Sequence, residues 1–373
     1  MRSFFNKRSV ITIIAAAVLI VAVIIAAVWQ NVRSFETYDV EDSFSIDGAS
    51  AQNFVSFAGG LMAYSRDGAQ YYDQEGNTVW NESYNMQSPE VLISGKRLLI
   101  YDKDGSTLVV MSDKKELSVI STTHTIVRAD IASDGTSAVL TEEEDTGYIN
   151  LYRENGTSMA GGQVHLSQTG YPMSIALSDN GTRLIMSLSV VKTESLATRI
   201  NIYDFTDAGN QKKDNIISSF EYDDTVCPQT AFFTDGTAAA ITDGGAILYT
   251  SGNEVKEKTK LKTKFTTESV IMSGEYFGLI HRAKGNRKEL DVYDENGKQT
   301  CAKKLDASYD RCEFIRDDLL IARTGEKVRL FDVKGKTKFS YDFPDAVIAF
   351  EAAGETRDYF LIQQETSQVI KLS

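Results

Sequence analysis

Ile131 to Gly156 reads IASDGTSAVLTEEEDTGYINLYRENG. Ser137-Ala138-Val139-Leu140 and Ile149-Asn150-Leu151-Tyr152 are short apolar-rich runs, too brief for helices and suited to strands buried on one face. Asp134-Gly135 precedes the first run, and Glu154-Asn155-Gly156 follows the second. Asp-Gly and Asn-Gly tolerate positive φ, so both predict hairpins closed by two residues. The segment therefore predicts antiparallel β-structure with a charged loop tip, Glu142 to Asp145, between two of its strands.

Both markers recur along the chain. The first stands at Gly59-Gly60, Ser94-Gly95, Asp134-Gly135, Asn180-Gly181, Asp235-Gly236, Ser273-Gly274, Asp317-Asp318 and Gly354-Glu355. The second follows it as QYYDQEG (70–76), INIYDF (200–205), AILYTSG (246–252), LDVYDENG (290–297) and VRLFDVKG (328–335). LVVMSD (108–113) is a weaker copy, and QVIKLS ends the chain. The first markers are spaced by 35, 40, 46, 55, 38, 44 and 37 residues. Their mean of about 42 suits a four-stranded propeller blade and is too long for a leucine-rich solenoid. The expected fold is all-β: an eight-bladed propeller over residues 38–373, or seven-bladed if one weak unit merges with a neighbour.

The eighth unit stops after its third strand, which would leave an open edge. Residues 38–46, YDVEDSFSI, resemble the fourth strand of the seventh unit, Lys338 to Phe343. The N-terminal strand is therefore expected to complete the last blade and shut the ring.

Val10 to Trp29, VITIIAAAVLIVAVIIAAVW, is the other strong signal. Twenty residues of helix reach about 30 Å, the thickness of a bilayer's hydrocarbon core. Arg2, Lys7 and Arg8 precede the run, and Glu36, Asp39, Glu41 and Asp42 follow it. That asymmetry predicts a cytoplasmic tail (1–9), a transmembrane helix (10–29), a juxtamembrane linker (30–37) and an extracellular domain (38–373). The run is longer than the apolar core of a signal peptide and lacks an obvious cleavage site, so a retained single-pass anchor in the cell membrane is expected.

The formal net charge is −13, and the first 33 residues contribute +4, leaving −17 on the rest. A surface so acidic excludes nucleic acid as an expected partner, because phosphate contacts need dense cations. Cys227, Cys301 and Cys312 form no disulfide framework, although Cys301 and Cys312 could pair if their strands are neighbours.

Asp-Gly-Thr hairpins followed by Tyr-Asp-x-x-Gly hairpins look like the WD40-like and quinoprotein-like propeller superfamily. With the apolar run, the whole chain resembles an uncharacterised family of single-pass membrane-anchored propellers from Gram-positive bacteria. The Trp-rich docking motifs of quinone-binding members have no counterpart here, since Trp29 and Trp80 are the only tryptophans. The resemblance therefore implies no cofactor.

His124, His165 and His281 fall in three different units with no second donor at ligand spacing, which argues for satisfied polar roles over a metal site. Asp102-Lys103-Asp104-Gly105 opens like a calcium loop, but the apolar residues that follow suit a plain turn better. Lys256, Lys258, Lys260, Lys262 and Lys264 alternate strictly, which in a strand projects five ammonium groups from one face. Such lysines protect an outer edge from pairing, or form a docking stripe for an anionic polymer or lipid headgroups. No nucleophile elbow or phosphate loop is present. The expected function is a non-catalytic protein-binding or scaffolding module serving other envelope or membrane proteins. The alternatives are a hydrolase or lyase acting on envelope glycans from the central channel, and a sensor signalling through a second membrane protein.

Overall fold

The computed structural model describes Ala16 and residues 33–373, apart from 194, 208, 284–286, 307–308 and 355–356. The run from Val10 to Trp29 lies outside the described residues save for Ala16. Among the described residues no helix is long and apolar enough to cross a membrane.

Eight four-stranded antiparallel sheets follow one another along the chain. Blades 1 to 7 span residues 53–83, 89–121, 125–165, 171–223, 229–262, 267–305 and 311–342. Blade 8 takes three strands from residues 347–372 and its outermost strand from Tyr38–Phe44. At six of the eight junctions the first strands of neighbouring blades pack on one another, that of blade 8 on that of blade 1 among them, so the ring is closed with the first strands innermost. The count is eight, and the seven-bladed alternative falls away.

Each first marker lies between the first and second strands of a blade, and each second marker covers the third strand and the turn after it. The hairpins differ from the two-residue form expected of Asp-Gly. In blade 3, Ala132 N–H donates to Thr136 O at 2.8 Å, enclosing Ser133, Asp134 and Gly135. Only the glycine is left-handed, with φ +86°. The aspartate instead accepts the Thr136 amide at 2.8 Å. Asn180 and Asp235 receive the Thr182 and Thr237 amides in the same way, which explains the shared Asp/Asn-Gly-Thr. After the third strand, Asp294 Oδ1 accepts the amides of Asn296 and Lys298, and Asp332 Oδ1 those of Lys334 and Lys336.

The core is a set of apolar interfaces between blades. Blade 7 meets blade 8 through Leu330, Phe339, Phe343, Phe350, Tyr359 and Leu361, all buried. The closing strand runs antiparallel to Ser367–Leu372, with Tyr38 opposite Leu372 and Phe44 opposite Ser367. Tyr38 packs edge-on against Tyr341 at 5.2 Å. Ser373 N–H donates to Thr37 O at 3.0 Å, so the two ends of the domain are tied. Docking begins earlier than residue 38: Phe35 N–H donates to Lys338 O at 2.7 Å, and its ring packs on the blade 7–8 core. The end of the expected linker is thus part of the fold.

Cys227, Cys301 and Cys312 are buried free thiols. Cys301 and Cys312 share one core cluster between blades 6 and 7 without bonding. Burial pushes the Cys312 thiol up to about 12, which keeps it protonated and unreactive.

Candidate functional site

Among the carboxylates of the described residues, those pushed furthest up by burial lie on the inner wall. The first strand of blade 7, Arg311–Arg316, begins Arg311-Cys312-Glu313, and alternation puts Arg311 and Glu313 on one side. Arg311 Nε meets Glu313 Oε1 at 2.6 Å, and Nη1 lies 3.9 Å from Glu351 Oε1 on the first strand of blade 8. Glu351 Oε2 also accepts the Ser56 amide of blade 1 at 3.3 Å. Arg323 reaches from the second strand of blade 7 to the Val347 and Ile348 carbonyls. One guanidinium thus stands between two carboxylates where three blades converge.

Burial and the neighbouring Glu313 charge push Glu351 up to about 7. Burial raises Glu313 as well, against the pull of Arg311. Across the wall, burial raises Asp130 to about 6, although its carboxylate accepts the Leu177 amide at 2.6 Å. Burial acts on Glu90 too, but hydrogen bonds from Tyr101 and Lys103 outweigh it and hold Glu90 below its ordinary value.

Converging carboxylates with raised pKa values are one mark of a catalytic site. The space bounded by Arg311, Glu313, Ile321, Arg323, Ala349, Phe350 and Glu351 leaves no room for a water molecule. The arrangement can hold and exchange a proton, and it joins three blades through charge. A shallow groove of about 200 Å³ lies instead between the closing strand and blade 1, lined by Glu41, Asp42, Gln74, Glu75 and Asp358.

The five lysines lie elsewhere. Glu257–Lys262 is the outermost strand of blade 5, with Lys256 just before it and Lys264 just after it. A bulge at Lys258 breaks the alternation, so the five do not form one face. Lys256 pairs with Glu254 at 3.0 Å. Lys258 reaches the Thr237 hydroxyl at 3.2 Å, and Lys260 lies over the Tyr222 ring at 4.6 Å. The extra residue lets Glu257 also turn toward Tyr222, whose hydroxyl donates to it at 2.6 Å.

His124 stacks on Tyr148 and faces Glu143 at 3.3 Å. His281 is buried against Phe265, 3.5 Å from Asp291. His165 is exposed at the end of its strand. The three do not converge. Asp102 organises a turn, accepting the Gln87 and Ser88 amides at 2.9 and 2.8 Å. Motif reading missed Arg311, Glu313, Glu351 and Asp130, since no two blades' contributions are close in sequence. Their signal is charge placed inside a first strand, as in TIVRADI, RCEFIR and VIAFEA.

Residues 31–372 match the model of a family described as Family of unknown function (DUF5711), and the chain belongs to that family. No curated protein matches the sequence. Among solved structures, the chain is similar to Sqt1 of Chaetomium thermophilum, bound to the N-terminus of the ribosomal protein L10. The TM-score is 0.56 at 12% identity, covering 90% of this chain and 100% of that one. BamB from Moraxella catarrhalis aligns with a TM-score of 0.54 at 12% identity, over 90% of this chain and 100% of BamB. Saccharomyces cerevisiae Sqt1 gives 0.54 at 15% identity, over 91% and 99%. At such identities the likeness is one of fold, that of WD40- and BamB-like β-propellers.

Proposed function

We propose that this member of the DUF5711 family is a membrane-anchored extracytoplasmic propeller that grips other envelope or membrane proteins without catalysing a reaction. In this reading Val10 to Trp29 spans the cell membrane, the N-terminus is cytoplasmic, and the ring stands outside. The observation that carries it is the seam. The strand that shuts the ring is the first strand after the apolar run, and Phe35 is already docked on blade 7. A disc so tethered presents its loops at a fixed height above the bilayer, which raises its effective concentration for partners in the same membrane. The Sqt1 structure, solved with a peptide segment of another protein, supports the suitability of such a disc for gripping chains.

Two measurements test this. A cysteine introduced at exposed Lys114 should react with a membrane-impermeant maleimide in intact cells, and failure to react before lysis removes the extracytoplasmic placement. Affinity purification of the full chain from detergent-solubilised membranes should recover the same protein repeatedly, and recovery of none counts against the binding role.

A glycan hydrolase or lyase remains the second reading, favoured by the raised carboxylates Glu313 and Glu351 on one guanidinium. It requires that the wall open to admit substrate. Glu351→Gln would then abolish turnover of envelope glycan by the purified full chain, whereas the scaffold reading expects no turnover to lose.

A further inference from the structure

Among the described residues eight large apolar side chains are substantially exposed, and they divide into two groups. Val40, Val79, Val119 and Met159 sit singly on the outermost strands of blades 8, 1, 2 and 3. Scattered residues of that kind are normal. Tyr171, Val191, Leu196 and Val226 all belong to blade 4 or the loop after it. In an antiparallel four-stranded meander, the turn between the second and third strands and the loops between blades share one face of the disc. All four therefore lie on the same face, and Val191, at 70% exposure, is the most exposed of the eight.

Blade 4 is built to present them. Its second and third strands, Arg183–Val191 and Leu196–Asp204, have nine residues each. Their counterparts in the other blades have five to seven. At ~3.3 Å per residue the excess lifts the tip by roughly 7 Å over the longest of them. Val191 and Leu196 are cross-strand partners at that tip. Tyr171 lies opposite Ser189, and the Asp224 amide donates to Leu196 O at 2.9 Å. The Val226 carbonyl accepts the Asp243 amide at 3.0 Å, and Asp243 Oδ1 accepts the Val226 amide at 3.2 Å. The four residues thus sit on neighbouring, hydrogen-bonded backbone, at a tip that stands proud of the ring.

Its border is acidic at Asp224 and toward blade 3, while toward blade 5 exposed Lys262 and Lys264 flank the Asp243 turn. Lys192 is held by Glu221 and Asp223, and Arg199 by Glu221, so those four charges cancel. Asp224 and Asp243, and Glu144 on the adjoining blade 3 turn, are exposed. Among the described residues none of these three takes part in an ion pair. An anionic leaflet would be repelled by this border. A second copy meeting it about a two-fold axis would bring the same border, with Asp224 and Glu144, against this one.

We propose that this raised face of blade 4 docks a partner protein through a segment that alternates apolar residues with Lys or Arg. The apolar side chains of the segment cover Val191, Leu196, Tyr171 and Val226, and its cations meet Asp224, Asp243 and Glu144. This rests on the proposed binding role and names the surface that performs it.

The test uses the full chain in its own membrane, with a photoreactive benzophenone side chain placed at Val191, at Leu196 or, for comparison, at Val119. Irradiation should yield protein adducts from the first two positions only, and mass spectrometry should place the cross-link in a segment rich in apolar residues and in Lys or Arg. Changing Glu144→Gln, Asp224→Asn and Asp243→Asn together should lower the adduct yield about tenfold, with the melting temperature of the purified chain as a control on folding. Adducts to lipid, to a second copy or to an acidic segment overturn the proposal, as does a yield that ignores the three substitutions. Protein adducts from other faces with none from Val191 or Leu196 sink this surface while leaving a binding module. Absence of protein adducts from every position, with no partner on affinity purification, sinks both.

Discussion

The five lysines at the outer edge of blade 5 and the charges of the inner wall between blades 7 and 8 are the same chemistry in opposite surroundings. The lysines are conspicuous in the sequence, yet water and separate partners satisfy them: Glu254 for Lys256, Thr237 for Lys258 and the Tyr222 ring for Lys260. The wall charges draw no notice in the sequence. In the fold Glu351 is withdrawn from water, Arg311 and Glu313 are half-buried, and the three depend on one another. A charge matters energetically in proportion to its desolvation, so density along the chain is a poor guide to consequence.

Breaking the inner cluster gives the largest effect. Arg311→Met keeps most of the side-chain volume but removes the guanidinium that Glu313 and Glu351 share, leaving only Arg323 nearby. Removing one member of a fully buried charge network costs about 3–5 kcal/mol, and the water that still reaches Arg311 and Glu313 lowers the expected loss to about 1–3 kcal/mol. Urea unfolding at pH 8 should register that loss, and a smaller one at pH 5, where Glu351 is protonated. A cost below about 1 kcal/mol at both pH values would mean that the wall is wet and that the contrast with blade 5 is false.

Glu351→Gln sharpens the contrast with a sign. The folded-state pKa of Glu351 is raised to about 7 from an ordinary value near 4.5. Between those values the folded chain holds a proton that the unfolded chain releases, so stability is lost as pH rises through that window. The glutamine variant has no such proton. Its melting temperature should fall less than that of the wild type between pH 5 and pH 8, by the equivalent of roughly 1–3 kcal/mol. Asp130, raised in the same direction, acts equally in both proteins. Identical pH profiles would remove Glu351 as the titrating group.

The same contrast explains what the sequence discloses. Blade number and seam were legible because each depends on local repetition: Asp-Gly-Thr and Asp-x-x-Gly fix turns within a few residues, and YDVEDSF copies the strand that blade 8 lacks. The two-residue hairpin form was not, because Asp134 caps an amide and leaves positive φ to Gly135. The alternation of the lysines suggested one face, and a single bulged residue undid it. The inner wall was hidden for a different reason: Glu351 and Ser56 are 295 positions apart and meet only when the ring closes. The 55-residue spacing marked an enlarged fourth unit, but spacing alone could not divide the excess between the long hairpin and the 205–215 connection, nor say which side chains the tip leaves in water.

The smallest effects belong to blade 5. Lys260→Ala removes a cation from the Tyr222 ring and should cost about 0.5–1 kcal/mol, while Lys256→Ala and Lys262→Ala should each stay within about 0.5 kcal/mol. Changing all five to Gln separates the two roles open to them. If they guard an edge strand, the variant keeps a near-native melting temperature but self-associates in sedimentation, because the outermost strand of blade 5 offers unpaired backbone groups on one side. If they dock an anionic polymer, the variant stays monomeric and loses retention on immobilised polyphosphate. The bulge favours the first outcome: it twists the strand and scatters the ammonium groups, which hinders pairing with a flat edge and also spoils the even spacing that a regular anionic chain would meet.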